Sequence, residues 1–317
     1  TSIRSRLTFG LIKKKPKTLD DYTLQNERLS ARRKDIFEEN PNRLIRLFVY
    51  CQKYQVTPSP SLRKLIKKSW DLIDRSFRVR RENREAFREI LERKGQVATT
   101  LRLMHRCGVL GRYLPEFGAL DCLVQHEFFH RYTADEHTLR CIDQLDALVE
   151  NDDPKVSIYR DIIVKHPDPY ALYIALILHD TGRAENVREH IDGSAILAAR
   201  LCKRLQITGG RRALIMFLVD HHLTLWRFAT KKNIDDPEVI EEFAELMRDR
   251  HRLDALLLFT FADSNGTNEE AWSPWKESLI LQLYKNTRSF LVETETNRIK
   301  IHAAEFEEVC AEVKATL

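Results

Sequence analysis

Nine consecutive apolar residues, Tyr170-Ala171-Leu172-Tyr173-Ile174-Ala175-Leu176-Ile177-Leu178, end abruptly in His179-Asp180. A run without a polar face predicts a helix buried on all sides rather than one lying on a surface. Such a helix constrains the whole fold. Other elements must surround it, and its last two residues must find polar partners inside the protein. Neighbouring residues on a helix point about 100° apart, so His179 and Asp180 share one ligand only if it lies over the edge between them. A metal ion meets that condition. Taken alone, the dipeptide is better explained by a core histidine bonded to the aspartate beside it.

The other histidines and carboxylates change that balance. His137 opens a helix expected from about Asp135 to Val149, and His222 sits late in one expected from Arg211 to Trp226. Asp263 follows the apolar run Leu253 to Phe261, and His190 precedes a helix expected from Gly193 to Leu205. Helices packed side by side can converge such ends on one pocket. Imidazole and carboxylate suit zinc, manganese or iron, and a set of this size holds two ions if one carboxylate bridges them. Singly, His190 or His222 is more often a surface or core histidine. In Val219-Asp220-His221-His222-Leu223 the helical period lets either histidine point inward.

Composition agrees with a helical chain. Glycine and proline number 10 each among 317 residues, and 31% of residues are charged. The net charge of +5 suits an anionic substrate but is not the concentrated basic face of a nucleic-acid binder, and none is expected as a partner. Six cysteines without a C-x-x-C pair fit a reducing cytosol. No apolar run is long enough for a bilayer and no signal peptide opens the chain, so the expected location is cytoplasmic, with no membrane partner. A start at Thr1 suggests a piece of something longer.

Along the chain, residues 1 to 40 read as irregular, with Tyr22, Leu24 and Leu29 hinting at a short strand pair. From Asn40-Pro41 the helical period takes over. Helices are expected over Leu44 to Val49, Leu62 to Ile73, Asn83 to Gly95 and Val97 to Gly108. The basic run Arg75 to Arg84 carries interleaved Glu82 and reads as an exposed face. The segment Glu293 to Leu317 reads as a charged helix.

The order His, His-Asp, His, His, Asp in a helical chain resembles the HD-domain metal phosphohydrolases. Three strings narrow this: Cys107-Gly108-Val109-Leu110-Gly111-Arg112-Tyr113-Leu114-Pro115-Glu116-Phe117, the stretch QHEFFHRYTADEHTLR from Gln125 to Arg140, and Trp272-Ser273-Pro274-Trp275-Lys276. Together they resemble the GlnD family, bifunctional uridylyltransferase and uridylyl-removing enzymes acting on the PII signalling protein, over roughly Asp21 to Phe290. The resemblance implies an all-α fold, with an HD-domain helical bundle over 111–290 preceded by a helical linker over 41–110. Residues 1–40 would be the remnant of a nucleotidyltransferase domain, and 291–317 a C-terminal helix.

The implied activity is divalent-metal hydrolysis of the bond joining UMP to a tyrosine of PII, with two ions drawn from manganese, iron, magnesium or zinc. Position by position, His137, His179, Asp180 and Asp263 would form the first metal site. Asp180 would bridge to a second completed by His190 and His222, which the similarity favours over His221. His126, His130, Tyr132 and Lys276 fall in matching segments and would contact phosphate or uridine, or pack behind such contacts. Arg183 would steady the phosphate oxygens bidentately. Two departures stand out: Arg183 replaces a lysine common after the His-Asp pair, and Ala184 to Glu189 replaces a Gly-rich insert. The nucleotidyltransferase signature and the glutamine-binding ACT domains are absent, so the chain is not expected to add UMP. Two other readings remain open: an HD hydrolase of free or cyclic nucleotides, and a non-catalytic module that binds a nucleotide or PII. The oligomeric state is not legible.

Overall fold

The computed structural model describes residues 17–123, 132–185, 190–268 and 270–316, with the side chains of 184–192 and 297–316 outside the description. Two units can be distinguished, and each has its own core. The first runs to Ile90 and takes in Thr99–Leu114, while the second comprises Leu91–Ala98 and everything from Pro115.

The first unit contains β1 (Lys17–Leu19), β2 (Tyr22–Gln25), β3 (Arg28–Ala31), α1 (Ile36–Glu39), α2 (Arg43–Tyr54), β4 (Thr57–Pro58), α3 (Pro60–Lys68), α4 (Arg75–Val79), α5 (Arg81–Leu91), α6 (Val97–Arg106) and α7 (Leu110–Tyr113). The end of α5 and the start of α6 belong to the second unit. The strands corrected the all-α expectation: they form one sheet in the order β1-β2-β3-β4. Asn26 and Glu27 both have positive φ, 49° and 58°, which gives the two-residue turn whose twist matches an antiparallel hairpin. β4 joins in parallel after the whole of α2, through Ser59 N–H donating to the Leu29 carbonyl at 2.8 Å. That pairing is non-local, which is why a strand pair was all that the local pattern suggested.

The string around Cys107-Gly108 has a structural task in this unit. Trp70 Nε1 donates to the Cys107 carbonyl at 2.9 Å, and the Arg112 guanidinium lies 3.7 Å from the Trp70 ring centroid. Gly108 has φ +69°, and a Cβ there would lie 2.5 Å from the Trp70 ring. Both facts require glycine. Trp70 itself sits beyond α3 in a 3-10 turn, so the helix expected to run to Ile73 ends earlier.

The second unit holds α8 (Pro115–Gly118), α9 (Ala134–Ala147), α10 (Ser157–Lys165), α11 (Pro169–Leu178), α12 (His190–Leu205), α13 (Gly209–His221), α14 (Thr224–Lys231), α15 (Pro237–Met247), α16 (Arg250–Thr267) and α17 (Pro274–Thr316). Every residue of α11 is buried. Pro169 occupies its first turn, and the Asp168 carboxylate caps it by accepting from Ala171 N–H at 3.2 Å. α9, α13 and α16 pack around it. The helix expected from Arg211 to Trp226 is two helices, because the chain turns at His222-Leu223. α17 is continuous from Pro274. Among the described residues no helix is long and apolar enough to cross a membrane.

Candidate metal centre

α11 delivers its last residues into a polar centre. His179 closes the helix with N–H bonded to the Ala175 carbonyl at 2.9 Å, and a 3-10 turn over Thr181–Glu185 follows. Asp180, between helix and turn, brings Oδ2 to 3.5 Å from His179 Nε2. The turn is held by Thr181 Oγ1 donating to the Leu178 carbonyl at 2.7 Å and by Gly182 N–H donating to Ser194 Oγ at 2.9 Å. His137, in the first turn of α9, and Asp263, in the penultimate turn of α16, complete the group. α9 and α16 approach closely because residue 266 is glycine: a Cβ there would lie 2.6 Å from Cys141 Sγ and 2.8 Å from its backbone nitrogen.

Four donor atoms converge. His137 Nε2 lies 3.3 Å from His179 Nε2, 3.1 Å from Asp263 Oδ1 and 3.7 Å from Asp180 Oδ2. His179 Nε2 lies 3.4 Å from Asp263 Oδ1 and 3.5 Å from Asp180 Oδ2. Metal–donor bonds of about 2.1 Å put neighbouring donors about 3.0 Å apart in an octahedron and about 3.4 Å apart in a tetrahedron. The separations among His137, His179 and Asp263, 3.1–3.4 Å, are those of ligands around one cation; Cys141 closes on the same point, and Asp180 Oδ2 stands 3.5–3.7 Å from the two imidazoles. The tautomer agrees: His179 Nδ1 donates to the Leu176 carbonyl at 2.8 Å, which leaves a lone pair on Nε2 facing the centre. The residues present therefore fit a divalent ion.

Charge tells the same story. Burial opposes a charge on His179, but Asp180 and Asp263 outweigh it and raise the imidazole to about 9. Burial likewise opposes ionisation of Asp180, yet His179, Arg183 and His137 hold it below the usual carboxylate range. Asp263 is held low against its burial by the hydrogen bonds of His137 and His179. A buried carboxylate, Asp180, and a half-buried one, Asp263, thus demand positive charge, and without an ion a protonated histidine supplies it.

The other expected site residues fall at different distances from this centre. His222 is buried, with its ring centroid 5.5 Å from that of His179 and Nδ1 bonded to the Val219 carbonyl at 2.8 Å. Burial and the neighbouring His179 lower its pKa. His221 is turned away against Phe217 and Thr224. Phe259 lies 5.6 Å from the His179 ring as an apolar floor. Arg183 Nε stands 2.8 Å from Asp180 Oδ1. Lys276 is engaged away from the four donors, with its ammonium 3.2 Å from the Ala271 carbonyl and 5.5 Å from the Trp226 ring. Tyr132 lies under the Arg140 guanidinium at 3.8 Å. His190 begins α12, but its side chain lies outside the described residues, as do His126 and His130 altogether. Cys141 was not singled out from the sequence. It lies one turn after His137, with Sγ 3.6 Å from His137 Nε2 and 4.0 Å from Asp263 Oδ1. The i, i+4 spacing to His137 was the available signal.

Comparison with known proteins bears on this geometry. A family model described as the third domain of uridylyltransferase GlnD matches residues 22–113. The chain is 34% identical over 278 residues to the bifunctional uridylyltransferase/uridylyl-removing enzyme of Pseudomonas fluorescens (strain SBW25), covering 85% of this chain and 30% of that protein. It is 32% identical over 310 residues to the protein of the same description from Bradyrhizobium sp. (strain ORS 278), covering 96% and 33%. The chain belongs to the GlnD family. It spans about three tenths of the length of the curated relatives it matches. The match to the GlnD third domain ends before every residue of the four-donor cluster, whereas the relatives' similarity runs through it. Among solved structures, a CCA-adding enzyme in complex with CTP is similar with a TM-score of 0.48 and 13% identity, covering 81% of this chain and 49% of that one.

Proposed function

We propose that this chain is the HD-type phosphodiesterase portion of a GlnD-family protein, a cytoplasmic divalent-metal hydrolase that releases UMP from a tyrosine of uridylylated PII. One observation carries the reading: the Nε2 atoms of His137 and His179 lie with carboxylate oxygens of Asp180 and Asp263 at separations of 3.1–3.7 Å. Those four residues would hold an ion. Asp180 and His222, with His190, would take part in holding a second. A bound ion would neutralise phosphodiester charge and lower the pKa of a bound water toward neutrality.

The chain's own groups do the rest. The Leu176 carbonyl fixes the His179 tautomer, so that Nε2 presents a lone pair inward. Arg183 positions Asp180 through Nε at 2.8 Å, and a planar guanidinium beside the cluster is the group best suited to a phosphate oxygen there. Phe259 and the all-buried α11 keep water from the rear of the site. A tyrosine with an ordinary pKa of about 10 departs without strong general-acid help.

The test is UMP release from uridylylated PII by the purified chain with added manganese, alongside Asp180→Ala. Metal-dependent release that is lost in the variant supports the reading. Manganese binding without UMP release overturns it and directs the search to free nucleotides.

A further inference from the structure

Cys141 lies outside the order of histidines and aspartates that the family resemblance carries, yet it is fully buried against the same centre. α9 places it one turn after His137. Its Sγ is 3.6 Å from His137 Nε2 and 4.0 Å from Asp263 Oδ1, and the donor atoms of His137, Cys141, His179 and Asp263 all lie within 4.8 Å of one another. Bonds of about 2.3 Å from zinc to sulfur and about 2.1 Å to nitrogen put two such donors about 3.6 Å apart in a tetrahedron. Sγ also lies 3.7 Å from His137 Nδ1, so it flanks the imidazole, and rotation about χ1 is the one motion needed to bring it round to the Nε2 lone pair.

Charge favours a thiolate at this position. Arg183 Nε stands 2.8 Å from Asp180 Oδ1 and meets the charge of that carboxylate. Imidazoles coordinate as neutral groups, so Asp263 alone is left to balance a dication. A thiolate at Cys141 supplies the second negative charge, the thiol proton leaving to solvent as the sulfur binds. Packing between α9 and α16, where a Cβ on Gly266 would lie 2.6 Å from Sγ, asks only for a small side chain. It does not ask for sulfur among three other donors.

We propose that Cys141 is a further ligand of the ion that His137, His179, Asp180 and Asp263 would hold, and that its soft donor biases the centre toward zinc over manganese. The proposal rests on the reading that these residues bind an ion, and not on the identity of the substrate.

The experiment is titration of the intact, metal-stripped chain with cobalt(II), followed by absorption, and with zinc and manganese separately. The wild type should bind cobalt with the near-ultraviolet thiolate-to-cobalt charge-transfer band. Cys141→Ser should still bind cobalt but lose the band, and its preference for zinc over manganese should fall roughly tenfold or more. Cys141→Ala provides the same comparison should the serine variant not fold. Cobalt bound by the wild type without the band overturns the proposal and leaves the metal reading standing. A band that survives in the variants, or an unchanged zinc preference in both, overturns it too. If the wild type binds none of the three ions, the metal reading falls and this ligand with it. A band without UMP release leaves the ligand in place and removes only the substrate.

Discussion

α9 carries two buried polar neighbourhoods, one at each end, and they are built on opposite terms. Near its end, the Asp146 carboxylate accepts from the Tyr173 hydroxyl, from Gly95 N–H at 2.9 Å and from Ala98 N–H at 2.7 Å. Every partner is a donor, each has its acceptor, and nothing is left over. Near its start, His137 meets another imidazole and two carboxylates at ligand-like separations, with too many acceptors and too few protons. A closed network of this first kind braces a fold. An open one of the second kind is stable only when something positive enters it. α9 and α11 contribute to both, so the brace at one end helps to hold the spacing of His137 and His179 at the other.

The sharpest way to break the comparison is to remove one carboxylate from each neighbourhood. Asp180→Asn should abolish tight metal binding and, on the proposed reading, cost about 4 kcal/mol of transition-state stabilisation, roughly a thousandfold in rate. Its metal-free form should still fold, at some cost in stability, because Arg183 and the His179 and His137 imidazoles lose the carboxylate charge that faces them. Metal content by mass spectrometry and far-ultraviolet circular dichroism read the two halves of that statement. Asp146→Ala should do the reverse and lose about 3 kcal/mol of stability, since it orphans a hydroxyl and two backbone N–H groups. Chemical denaturation measures the loss, and the metal stoichiometry of the folded fraction should be unchanged. A variant at Asp146 that loses metal while keeping its stability would refute the division of labour.

Gly266→Ala tests the two ends together. A Cβ there would press on the Cys141 backbone, which cannot give as a flexible side chain would. About 2 kcal/mol of stability should be lost, and α16 should be pushed from α9, so that metal affinity falls with it. Calorimetry and metal titration on the same preparation report both effects, and a stability loss with full affinity would show that Asp263 is positioned independently of this contact.

How far such features could be read in advance depends on their range. The end of the apolar run at His179-Asp180, and Asp263 after Leu253 to Phe261, are local changes in polarity, and periodicity exposes them. The helical period alone left His221 and His222 equivalent; the turn at His222-Leu223, which puts His222 beside His179 and His221 against Phe217, was concealed by the uninterrupted helical pattern from Arg211. Cys141 and Gly266 matter to each other only because α9 and α16 cross there, 125 residues apart in sequence. The parallel pairing of β4 with β3 is non-local in the same way, and so is the Asp146 network, whose donors come from two other segments.

The smallest effect is a pH dependence that isolates the closed network. Burial raises Asp146 from its ordinary 3.8 to about 6, against the hydrogen bonds of Tyr173, Ala98 and Gly95, which lower it. A carboxyl that binds its proton more tightly when folded makes the fold less stable as pH rises through that interval and more stable as pH falls back through it. Lowering the pH from 7 to 5 should therefore stabilise the protein by about 1 kcal/mol through this group. Other groups titrate over the same range, so the informative quantity is the difference between the wild type and Asp146→Asn, taken from urea unfolding at each pH. The difference should shift by that amount in favour of the wild type as the pH is lowered. A difference that stays flat would mean that the three donors keep Asp146 ionised throughout, and that the brace is a charged node rather than a neutral one.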